Sequence, residues 1–76
     1  MLLSDLPLHR SCRVIGVSGS GDVSCRLLEM GFTPGVEVKV LGTAPFGDPI
    51  EVELRHYRLS LRKSEASLVE IEIAPS

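Results

Sequence analysis

The 76-residue chain has no tryptophan, and its aromatic side chains are three, Phe32, Phe46 and Tyr57. So sparse a set gives no platform on which successive nucleic-acid bases could stack. Basic residues are outnumbered, eight Lys and Arg against ten Asp and Glu, for a net charge of −2 and an isoelectric point near 5.6. That balance argues against nucleic acid or an anionic lipid surface as partner, although a local basic patch is compatible with it. No apolar run approaches the roughly 18 to 20 residues that a membrane-spanning helix requires. The start, Met1-Leu2-Leu3-Ser4-Asp5-Leu6-Pro7-Leu8, is apolar, but it has no basic lead and is broken by Asp5 and Pro7. It does not read as a signal peptide, so the chain is expected in the cytoplasm with no direct membrane insertion.

Groups that carry chemistry are equally scarce. The two cysteines, Cys12 and Cys25, form no C-x-x-C unit; in a reducing compartment small, semi-buried side chains are the plainer reading, with a disulfide or metal ligation as the alternative. A nucleophilic triad needs a histidine held by a carboxylate. His9 lies in the N-terminal lead and His56 in a hairpin turn, so no catalytic residue is assigned and no enzyme is expected. Ser18-Gly19-Ser20-Gly21 precedes a helix but has neither the Lys-Ser/Thr of a phosphate-binding loop nor the spacing of a dinucleotide fingerprint, and reads as a flexible connection. For Fe²⁺ the available ligands are scattered. Glu37, Glu51, Glu53, Glu70 and Glu72 alternate on strand exteriors, where a solvated face outweighs a metal site, and no cofactor or metal residue is assigned. Histidine or cysteine near the N-terminus could still gather Zn²⁺ adventitiously at a contact between copies.

What the chain does have is a joint between a helix and a strand. Gly31 closes an apolar-periodic segment where a left-handed cap is wanted, and Pro34-Gly35 suits the central positions of a type II turn. Val36-Glu37-Val38-Lys39-Val40 then alternates with the period of a half-buried strand. Ala44-Pro45-Phe46-Gly47-Asp48-Pro49 interrupts the pattern with turn residues. Alternation resumes in Ile50–Leu54, Tyr57–Leu61 and Val69–Ile73. One face of each run is apolar, so Val36, Val38, Val40, Ile50, Val52, Leu54, Tyr57, Leu59, Leu61, Val69, Ile71 and Ile73 are predicted to point inward.

The remaining elements follow from the same rules. Leu3 to Leu8 is predicted to form a short turn or helix, and Cys12–Val17 a first strand. Asp22 is placed as the cap of a helix running to Met30, whose Val23, Leu27, Leu28 and Met30 face the sheet while Arg26 and Glu29 stay in water. Lys63 to Ser67 has room for about one helical turn, capped by Ser64. Arg55-His56 is a two-residue turn with both residues at positive φ, which sets Glu53 opposite Arg58. Five short strands on 76 residues are expected to close into a small barrel that removes exposed edges, with an OB-type barrel as the rival architecture.

Taken in order, these residues resemble the FeoA family of ferrous iron transport proteins. The resemblance rests on Arg26-Leu27-Leu28-Glu29-Met30-Gly31-Phe32-Thr33-Pro34-Gly35, on Ala44-Pro45-Phe46-Gly47-Asp48-Pro49, and on Leu61-Arg62 with Ala66 four residues later. It departs at His56, where the family often has glycine. It implies a single SH3-like barrel domain over residues 1–76, mainly β, with one α-helix inserted after the first strand and a helical turn before the last. It further implies a cytosolic accessory of bacterial ferrous iron uptake, acting on the cytosolic, GTP-binding part of the permease FeoB, which would recruit it to the inner face of the membrane. A self-associating interaction module, or a metal-responsive binding domain without a transport role, is the alternative.

Physical reasoning points to one surface. Pro45, Phe46, Gly47, Asp48 and Pro49 form a loop that two prolines stiffen. Phe46 is either an exposed anchor for a partner or a plug folded over the barrel's open end. Arg58 and Arg62, expected on one outer strand face, are assigned to partner carboxylates, with Glu53 and Glu51 as the internal alternative. A homo-oligomer, formed by pairing unclosed strand edges or by burying Leu2, Leu3, Leu6 and Leu8 against a second copy, is a further expectation.

Overall fold

Alternating Val, Ile and Leu produce strands at the expected places. The structure, a computed structural model, describes residues 1–73. The element order is a 3-10 turn Leu3–Asp5, β1 Ser11–Val17, α1 Asp22–Met30, β2 Glu37–Thr43, β3 Ile50–Leu54, β4 Tyr57–Leu61, α2 Lys63–Ala66 and β5 Val69–Ile73. The strands make one antiparallel sheet in the order β4-β3-β2-β1-β5. Register shifts interrupt β1–β5 between Val14 and Gly16 and β2–β3 between Val40 and Gly42. Such bulges bend a strand and raise its twist, which curls five short strands around one core. The result is a mainly β, barrel-like fold of the SH3-like type, with α1 inserted after β1 and α2 before β5. Of the expected 1–76 span, residues 74–76 lie outside the described residues.

Closure is less complete than expected. The two outer strands, β4 and β5, do not neighbour each other. The N-terminal segment covers the free side of β5 instead: Leu2 bridges Glu70, and the Ile71 N–H donates to the Met1 carbonyl at 2.8 Å. Among the described residues no strand pairs with the outer side of β4. The leucines expected between two copies divide accordingly, because Leu3 and Leu6 are buried in the chain's own core while Leu8 is exposed.

The core holds Cys12, Val14, Leu27, Phe32, Val38, Val40, Ile50, Val52, Leu54, Leu61, Ala66, Val69 and Ile71 beside those two leucines. Two residues of the expected inward set are exposed, Tyr57 and Ile73. Each starts or ends a strand at the margin of the core, and the Tyr57 hydroxyl instead donates to the Met30 carbonyl. Of the four α1 residues expected to face the sheet, Leu27 is buried and Met30 half-buried, while Val23 and Leu28 face water. A short helix on a curved sheet covers a narrow stripe, and Ser24 takes the neighbouring inward position, its hydroxyl donating to the Ser18 carbonyl at 2.6 Å. That bond, with the Ser18 N–H to Leu68 O bond of 2.7 Å, ties down the connection read as flexible.

Helix ends are resolved by local chemistry. Gly21, not Asp22, is the N-cap of α1, and Asp22 is the first helical residue, where its charge still favours the positive end of the dipole. At the other end Gly31 has φ of +113°, the Gly31 N–H donates to Leu28 O and the Phe32 N–H to Leu27 O, both at 3.1 Å. This double bond pattern is a Schellman motif, and it delivers Phe32 into the core beside Leu27. The Val36 N–H then reaches Thr33 O at 3.1 Å across the Pro34-Gly35 turn, with Gly35 at φ of +91°.

Candidate docking surface

The loop between β2 and β3 is built by a turn inside a turn. The Gly47 N–H donates to Ala44 O at 2.8 Å and the Ala44 N–H to Pro49 O at 3.0 Å. Gly47 adopts φ of +84°, and the Asp48-Pro49 peptide is cis. Asp48 anchors the loop's far end, its Oδ1 accepting the Lys63 N–H at the start of α2 at 2.9 Å. Phe46, at the tip of this braced frame, is 99% exposed. It does not plug the barrel.

Beside the loop lies a groove of about 540 Å³ lined by Arg26 of α1, Asp48, Pro49, Ser60 of β4, Arg62 and Glu65 of α2. Arg62 stands beyond β4 as the residue capping α2, in the place expected for Ser64. It therefore does not share the strand with Arg58, which faces Glu53 in register as expected. Glu65 holds two neighbours at once: Oε1 accepts the Arg62 N–H and Oε2 accepts Arg26 Nη2, each at 2.9 Å. Among the described residues Arg26–Glu65 is the one ion pair within 4.0 Å. The groove thus joins the loop 45–49 to Arg62, while Arg58 lies further along the β4 edge. Arg26, Ser60 and Glu65 were missed in the sequence, although Arg62-x-x-Glu65 has the spacing by which a glutamate at the third helical position reaches back to the cap.

Of the strand glutamates, Glu37, Glu53 and Glu72 sit opposite cations, whereas Glu51 and Glu70 do not. Register sets Arg13 between Glu72 and Glu37, and Glu53 between Lys39 and Arg58, a checkerboard that favours pairing across the sheet. No group of three or more His, Cys, Asp or Glu among the described residues is placed to hold a metal ion. Cys12 is buried and Cys25 exposed. Burial pushes the Cys12 thiol up to about 11, opposed in part by a backbone hydrogen bond from Val38 and reinforced by the charge of Glu37. No helix among the described residues is long and apolar enough to cross a membrane.

A family model described as the FeoA domain matches residues 1–73. The chain belongs to the FeoA family. A solution structure of an FeoA-like protein from Clostridium acetobutylicum superposes with a TM-score of 0.93 at 37% identity, covering 100% of this chain and 88% of that one. FeoA of Stenotrophomonas maltophilia, crystallised with zinc and described as a prokaryotic SH3 domain protein, gives a TM-score of 0.85 at 38% identity over 95% of this chain and 89% of that one. An Fe(2+) transport protein A/Fe(2+) transporter FeoB fusion protein of Porphyromonas gingivalis (strain ATCC BAA-308 / W83) is 36% identical over 76 residues, 100% of this chain. This FeoA chain spans 9% of the length of that curated relative.

Proposed function

We propose that this FeoA chain is a cytoplasmic accessory and regulator of bacterial ferrous iron uptake, a binding module with no catalytic activity of its own. It docks on the cytosolic, GTP-binding part of a FeoB-type permease, which recruits it to the inner face of the membrane. The observation that carries the docking site is Phe46, 99% exposed on a loop fixed by its own hydrogen bonds and by Asp48. A large apolar side chain held out in water by a stiff frame loses little conformational freedom on binding and suits the centre of an interface. The fusion relative, whose name joins an Fe(2+) transport protein A to FeoB in one polypeptide, supports the choice of partner. Pro45, Gly47, Asp48 and Pro49 shape the contact, and Arg62 and Arg58 offer charge beside it. A pull-down from solubilised bacterial membranes, with the purified chain as bait, is expected to recover the iron permease. Recovery of membrane proteins without the permease contradicts this reading.

A further inference from the structure

β4 is an edge strand whose outward backbone groups can be identified. With Leu54 opposite Tyr57 across a two-residue turn, Arg55 and His56 at φ of +49° and +74°, the hydrogen-bonded pairs are 54/57, 52/59 and 50/61. The N–H and C=O of Arg58 and Ser60 therefore point away from β3, toward the side where no strand of the described residues pairs. That side opens onto the groove between β4, α1 and α2. Its far end is closed, because Tyr57 bonds Met30 and Arg55 Nη2 donates to Thr33 Oγ1 at 3.3 Å.

Charge selects the occupant. From Tyr57 to Lys63 the chain carries Arg58, Arg62 and Lys63 and no acid. Both carboxylates of the groove are already engaged, Asp48 by the Lys63 N–H and Glu65 by Arg62 and Arg26. A second copy's β4 would bring arginine toward arginine, and the acidic β5 edge of a second copy is occupied by Met1 and Leu2. We propose that the β4 edge and its groove accept an extended, acidic segment of the partner as an added strand. Arg58 to Arg62 spans about 13 Å at ~3.3 Å per residue, which matches a segment of about four residues. Backbone bonds to Arg58 and Ser60 give affinity, and Arg58 and Arg62 select the acidic side chains. The partner's identity rests on the docking reading above; the edge does not.

Two probes separate the claims. The first is a synthetic peptide copying residues 68–73 of this chain, an alternating acidic strand, titrated into ¹⁵N-labelled protein. Amide shifts centred on Arg58 and Ser60, weakened by salt and abolished in Ser60→Pro, are expected. Ser60→Pro removes an N–H that faces outward, so the β3–β4 ladder survives; Arg58→Glu serves where the proline variant does not fold. Shifts elsewhere, none at all, or equal shifts in these variants overturn the edge proposal, as does self-association of the free chain through β4. The second probe is the cytosolic domain of a FeoB-type permease, whose affinity is expected to fall roughly tenfold in Ser60→Pro, the effect of losing about one interfacial hydrogen bond. Binding that ignores both variants refutes the edge and leaves the docking reading standing. Peptide pairing at β4 without permease binding does the reverse.

Discussion

Replacing Gly31 by alanine tests the joint from which the barrel is built. Gly31 holds φ of +113°, where an L residue costs about 1–2 kcal/mol. The new Cβ would touch Leu54 Cδ2 and Tyr57 Oη at 3.4 Å, close contacts that side-chain movement can ease, so backbone strain dominates. Stiffening of the unfolded chain by alanine raises its free energy and returns about 0.4–1 kcal/mol, leaving a net loss near 1 kcal/mol. In a domain of this size the core leaves roughly 3–5 kcal/mol of stability, and each kcal/mol moves the melting temperature by about 4–8 °C. Thermal unfolding followed by circular dichroism should therefore show Gly31→Ala melting about 4–8 °C below the wild type. His56→Gly, at φ of +74°, is the counter-case: it is expected to be neutral or mildly stabilising. A melting temperature unchanged within about 1 °C in Gly31→Ala, or a clear loss in His56→Gly, would show that backbone strain at positive φ does not set the stability of these turns.

Arg26→Ala should cost at most a few tenths of a kcal/mol, because the Arg26 side chain is 64% exposed and surface pairs are worth about that. Glu65→Ala also frees the Arg62 N–H at the cap of α2 and should cost about 1 kcal/mol; equal urea midpoints for the two variants would contradict the double role of Glu65. In the unfolded chain the Cys12 thiol ionises near its ordinary value of 9.0, in the folded chain near 11. Between those values the unfolded state binds fewer protons, so stability falls as pH rises, by roughly 1.4 kcal/mol per unit at most. Cys12→Ala should flatten that slope. Under native conditions a thiol reagent should modify Cys25 and spare Cys12; simultaneous modification would argue that Cys12 is not held in the core.

Much of the fold was written in short-range pattern. The runs 50–54, 57–61 and 69–73 are strands at their expected limits because alternation and flanking turn residues mark both ends, and Gly31 and Pro34-Gly35 act through their own backbone preferences. Burial at the margins was less legible. Period two assigns a face but not where the core stops, which is why Tyr57 and Ile73 were misplaced. Val23 and Leu28 failed for a related reason: a hydrophobic stripe does not state how wide the surface beneath it is. Full closure was overestimated because the pattern does not show that Met1 and Leu2 take the place beside β5. At the candidate site the loop was evident from its composition and the outward position of Phe46 was left open by it. The groove depends on Arg26, Ser60 and Glu65, brought from three elements by the tertiary fold, and no local spacing announces that meeting.

In the docking proposal Phe46 serves a partner and contributes nothing to the barrel. Calorimetric titration of the chain against the cytosolic domain of a FeoB-type permease, run for the wild type and Phe46→Ala beside thermal melts of both, tests it most directly. Superimposable melts and an affinity lowered by at least about tenfold are expected, as loss of an interface anchor implies. Equal affinities, or a variant that melts well below the wild type, would contradict it.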